Sequence, residues 1–70
     1  MQLHYRDLVH RGLNNLSFEH RAVLVLHDLE DLPQKQVAEI LNVPVGTVKS
    51  RLFHARNSLK KFLEQQGISF

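Results

Sequence analysis

Apolar positions along the chain fall into four runs, separated by short turn signals at Asn14-Asn15, Asp31-Leu32-Pro33, Asn42-Val43-Pro44 and Gly67. In the first run, from about Gln2 to Asn14, Tyr5, Leu8, Val9 and Leu13 recur at three-to-four spacing, which places them on one helical face. Gly12 weakens this helix somewhat. The second run begins at Ser17, a good N-cap, and reaches about Leu29, with Glu19 in the first turn where the helix dipole favours an acid. Phe18, Ala22, Val25, Leu26 and Leu29 make its stripe, and Val23 and Leu24 widen it. The stretch Ala22 to Leu26 also fits a buried strand, but the chain offers no partner strand, so helix is the better reading.

The third run starts at Pro33, suited to a first helical turn, and ends at Asn42. Val37, Ala38 and Leu41 face inward with Ile40 beside them, while Gln34, Lys35, Gln36 and Glu39 face out. Asn42 tolerates the left-handed conformation a chain adopts on leaving a helix. The fourth run begins just after Pro44 and continues to about Gln65, with Gly67 as its stop. The pattern predicts an all-α domain of four helices ending in a helix-turn-helix at about residues 33–65 of a single 1–70 unit.

Helical arithmetic on the last run separates two faces. At about 100° per residue, with Val45 at zero, Val48, Leu52, Ala55, Leu59 and Leu63 span an arc of roughly 80° centred near roughly 320°. Gly46, Ser50, His54, Asn57 and Lys61 lie within about 40° of the opposite direction. Lys49 and Lys60 flank this polar face on one side, Thr47 and Arg51 on the other. Phe53 projects at about 80°, outside the apolar arc. Such an aromatic packs on another helix, stands exposed, or touches base edges, where an apolar group can meet a thymine methyl.

Charge sharpens the picture. The segment Glu19 to Glu39 holds five acids and two bases, whereas Asn42 to Leu63 holds five bases and no acid. A basic stretch on a helix that follows a tight turn suits phosphates, although a solvated helix face gives the same pattern. Gly46 and Thr47 leave little bulk in the first turn, so a backbone phosphate can approach the free N–H groups there. Lys49 and Arg51 supply counter-charge, and Lys49 or Ser50 can reach base edges. Arg56, Lys60 and Lys61 read as solubilising charges.

The stretch LEDLPQKQVAEILNVPVGTVKSRLFHAR, Leu29 to Arg56, resembles region 4 of bacterial sigma factors, most closely the extracytoplasmic-function (ECF) type. PVGTVKSRLFHAR, Pro44 to Arg56, is nearly a signature of that group. The resemblance implies recognition of the −35 promoter element by the helix that begins near Pro44. It places Thr47, Lys49, Ser50, Phe53 and His54 at promoter-contacting positions and Arg51 at a phosphate. It also implies docking on the β flap of RNA polymerase, masking by an anti-sigma factor, and a cytoplasmic location. Val23 and Leu24 either contribute to such a docking surface or belong to the core. Three departures stand out: His54 where an arginine is common, Pro33 in place of a serine-like cap, and Asn42 in place of a frequent glycine.

Other classes fare worse. With 70 residues there is room for one small core, and no apolar run approaches the roughly 20 residues of a membrane helix. The absence of cysteine excludes disulfide scaffolds and cysteine-based zinc sites. The pairs His4/His10 and His20/His27 lack the i,i+3 or i,i+4 spacing that converges on a metal. No glycine-rich phosphate loop or nucleophile motif points to an enzyme or to a cofactor. A response-regulator effector domain fits Ser50-Arg51-Leu52 less well. The alternative from another class is a module that binds polymerase or an anti-sigma factor without DNA affinity of its own.

Overall fold

The computed structural model describes residues 5–68. These residues fold into four helical segments: α1 (Tyr5–Asn14), α2 (Phe18–Val23, continuing as a π-helix over Leu24–Leu29), α3 (Gln34–Leu41) and α4 (Val45–Gln65). Met1 to His4, the start of the first predicted run, lie outside the described residues.

The long amphipathic α4 is the spine on which α1, α2 and α3 all pack. Its predicted apolar arc is the buried one: Val48, Leu52, Ala55 and Leu63 are 2% exposed or less, and Leu59 is half-buried. Around them sit Leu13 and Leu16 from the first turn region, Val23 and Leu24 from α2, and Val37 and Ala38 from α3. Among the described residues no polar or charged side chain is buried, so the core is held by apolar burial and close packing.

Helix ends follow local chemistry. The Ser17 hydroxyl accepts a hydrogen bond from the His20 backbone N–H at 3.3 Å and caps α2. Pro33 stands one position earlier than its sequence pattern predicts. It is the N-cap of α3, with extended backbone and no capping hydrogen bond from its side chain, because the first helical residue is Gln34. Asn42 is left-handed, at φ 57° and ψ 49°. Its N–H donates to Glu39 and that of Val43 to Ala38, which is the Schellman arrangement. The end of α4 repeats it: Gly67 has φ 88°, and the Ile68 N–H donates to the carbonyl of Leu63.

The second helix departs most from its sequence pattern. Val23 and Leu24 are core residues, whereas Phe18 and Leu29, placed on the predicted inward stripe, are 68% and 55% exposed. The reason is position along the rod. Twelve helical residues reach roughly 18 Å, the full width of a domain measuring 41 × 19 × 18 Å. The middle of such a helix is covered and its two ends emerge. Tyr5 and Ile40, also grouped with inward residues by spacing, are exposed near the start of α1 and the end of α3.

The π-helical stretch ends with the Glu30 N–H donating to Val25 at 2.9 Å and the Leu32 N–H donating to Leu26 at 3.0 Å. Asp31 between them is left-handed, at φ 59°. His27 Nδ1 lies 2.7 Å from the Leu32 carbonyl oxygen. A carbonyl only accepts, so Nδ1 carries the proton in this contact.

Gly12 does more than weaken α1. It is buried where α1 meets the second half of α4, and a β-carbon there would overlap Leu59 Cδ1 and come within 3.0 Å of Phe62 Cδ1. Its missing side chain sets how closely the two helices approach.

Candidate nucleic-acid interface

The site is the exposed face of α4 in its first three turns. The turn that precedes it is fixed by left-handed Asn42 and by Pro44, whose extended backbone starts the helix. The N–H groups of Thr47 and Val48 donate back to the Pro44 carbonyl, at 3.0 and 3.3 Å. Those of Val45 and Gly46 have no acceptor within the helix and lie at its positive end. Open space surrounds the position a Gly46 β-carbon would take.

Each predicted contact residue can now be placed. Lys49, Ser50, Phe53 and His54 are exposed, Phe53 to 63%. Thr47 and Arg51 are half-buried at the flank of the same face. Ser50, Phe53 and His54 therefore face away from fully buried Val48, Leu52 and Ala55, with Lys49 on one edge of that face and Thr47 and Arg51 on the other. Phe53 meets the His54 ring edge-on, with centroids 5.4 Å apart and planes at 80°. Packing on another helix is not the outcome for Phe53: its ring stands exposed on the polar side of α4.

Arg56 is not a free solubilising charge. Its Nε donates to Asp28 Oδ2 at 2.9 Å and its Nη2 to Asp28 Oδ1 at 2.6 Å. This two-pronged pair ties α4 to the π-helical stretch. The guanidinium hydrogen bond holds the Asp28 carboxyl below its ordinary range; partial burial opposes this, while the charges of Arg56 and His27 add to it. Arg56 is exposed, as Lys60 and Lys61 are, and the wheel explains why it alone of the three reaches Asp28. Arg56 lies at roughly 20°, beside the buried arc, and so reaches a neighbouring helix.

Two features were illegible in the sequence because both join residues far apart in it. One is the Asp28–Arg56 pair. The other is His20 of α2, whose ring stacks against His54 with centroids 6.3 Å apart and planes 20° from parallel. His54 and Arg56 are roughly 160° apart around α4, on either side of buried Ala55. α2 therefore straddles α4, touching one flank through His20 and the other through Asp28.

Among the described residues no group of three or more His, Cys, Asp or Glu side chains is placed to hold a metal ion. No helix there is long and apolar enough to cross a membrane.

Comparison with known proteins agrees with this architecture. The family described as Sigma-70, region 4, matches residues 6–59. The chain is 35% identical over 63 residues to the ECF RNA polymerase sigma factor SigW of Bacillus subtilis, covering 90% of this chain and 34% of that protein. It is 38% identical over 56 residues to the RNA polymerase sigma-H factor of Pseudomonas aeruginosa, covering 80% and 29%. With the ECF RNA polymerase sigma-E factor of Escherichia coli it shares 37% identity over 54 residues, covering 77% and 28%. The chain thus spans about a third of the length of these relatives. A helix-turn-helix on a four-helix scaffold, matched over most of its length by the same family, makes this chain a member of the Sigma-70 region 4 family, of the ECF sigma-factor type.

Proposed function

We propose that the chain, as one region 4 domain over residues 1–70, reads the −35 element of promoters and so directs transcription initiation as part of an RNA polymerase sigma factor. The observation that carries this reading is the exposed face of α4, where Lys49, Ser50, Phe53 and His54 project outside a fully buried arc. In the major groove, Thr47, Lys49, Ser50 and His54 offer hydrogen bonds to base edges, and Phe53 offers an apolar surface to thymine methyls. Arg51 and the free N–H groups at the start of α4 meet phosphates, which set the register. No metal or cofactor enters this reading, and it makes the chain a binding module rather than an enzyme.

The same reading assigns protein partners. The domain docks on the β flap of RNA polymerase in the cytoplasm, and an anti-sigma factor masks it. Two apolar clefts of about 400 and 470 Å³ border the second half of α4, sharing Tyr5 and Leu59 in their walls. They offer apolar walls to a protein partner, and a second reading makes protein contact the only activity. The separating experiment is titration of a duplex selected from a random pool, at low salt and then with salt added. Promoter reading predicts binding whose affinity falls steeply with salt. No binding to any duplex at low salt leaves the protein-contact reading.

A further inference from the structure

We propose that His20, on α2, is a positioning residue for the DNA-facing side of α4, holding His54 and through it Phe53. This rests on the promoter reading above. The three rings form a connected row: His20 stacks on His54 at 6.3 Å and 20°, and the Phe53 ring meets His54 at 5.4 Å and 80°. Both geometries lie within the range in which aromatic rings attract. Phe53 and His54 are exposed, so without neighbours their side chains would sample several rotamers, and binding would have to freeze them. A ring supplied by α2 lowers that cost before DNA arrives.

The position of His20 does not depend on its own ring. α2 is anchored by buried Val23 and Leu24, by the Ser17 cap and by the Asp28–Arg56 pair. The imidazole can therefore be removed while the helix stays in place. That separates a positioning role from a structural one.

The test uses His20→Ala, His20→Phe, His54→Ala and the His20→Ala/His54→Ala double variant. Each is titrated with a duplex selected from a random pool and with a scrambled duplex, alongside thermal unfolding. His20→Ala weakens binding to the selected duplex by about two- to tenfold, the range an aromatic contact supports. It leaves the scrambled duplex and the melting temperature unchanged. His20→Phe, which keeps a planar ring without the imidazole nitrogens, restores most of the affinity. The double variant binds no worse than His54→Ala alone, because the two rings act as a unit.

The proposal is overturned if His20→Ala binds as the wild type does, if His20→Phe fails to restore affinity, or if the losses at His20 and His54 simply add. An equal loss on both duplexes with a smaller salt slope makes His20 a phosphate contact instead, and also overturns it. Absence of wild-type binding to any duplex is a different result. It defeats the promoter reading, and this inference with it.

Discussion

Residues 45–55 and 56–65 of α4 carry the same kind of charge and use it differently. The first half places Lys49 in solvent beside Ser50, Phe53 and His54, on an exposed face that the His20 ring meets at His54. The second half spends its first base on the fold, because Arg56 is held by Asp28. Its Leu59 and Phe62 close over Gly12 of α1. One continuous helix thus serves as a presented surface at one end and as a packing strut at the other. What divides them is angle around the axis and the arrival of a neighbour, not composition.

The harshest way to break this division is to cut the support beneath the presented face. Leu52 is 1% exposed, and Leu52→Ala should cost about 2–5 kcal/mol of stability. In a domain this small that is most of the net stability. Urea unfolding measures it, and a loss below about 1 kcal/mol would mean that the first half of α4 is not anchored as described. The strut end is tested by Gly12→Val, which forces a side chain between α1 and α4. Over-packing of this kind costs about 1–3 kcal/mol in the same unfolding assay, while titration with the selected duplex should show DNA affinity unchanged in the fraction that stays folded.

Phe53→Ala probes the presented face itself. It should lower affinity for the selected duplex roughly tenfold, equivalent to about 1.4 kcal/mol, with the thermal midpoint unmoved because Phe53 is not core. The smallest effect belongs to Arg56→Ala. A partly exposed ion pair contributes about 0.2–1 kcal/mol. The Asp28 carboxyl is lowered in the folded state, so the pair stabilises the fold above the ordinary aspartate value of 3.8 and this is lost as pH falls through the depressed value. The stability gap between wild type and Arg56→Ala should therefore be full at neutral pH and close in acid. A gap that widens in acid would contradict the pairing.

How much of this was legible in the sequence depended on the range of the interaction. The two faces of α4 were readable because 21 residues of amphipathic pattern average out local accidents, and Asn42 and Gly67 announced helix ends through their own backbone preferences. α2 was not readable in the same way. Spacing selects a stripe there that includes Phe18 and Leu29, yet Val23 and Leu24, which only widen it, are the buried pair, and the exposed ends depend on the width of the domain. Of the candidate site, the polar face of α4 could be named from spacing, and its contact residues from the family resemblance. His20 and the Asp28–Arg56 pair could not, since only the folded chain brings them to α4. Gly12 looked like a local weakness because its value lies in a helix more than forty positions downstream.

The claim that the presented half of α4 meets DNA while the strut half does not is tested most directly by salt slopes. The dependence of log affinity on log salt would be measured for the wild type, Lys49→Ala and Arg56→Ala on one selected duplex. The account predicts that Lys49→Ala reduces the slope by up to about one, because a cation held in the groove displaces counterions even when it reaches a base edge, and that Arg56→Ala leaves it unchanged. An equal reduction in both variants, or a reduction in Arg56→Ala alone, would contradict it.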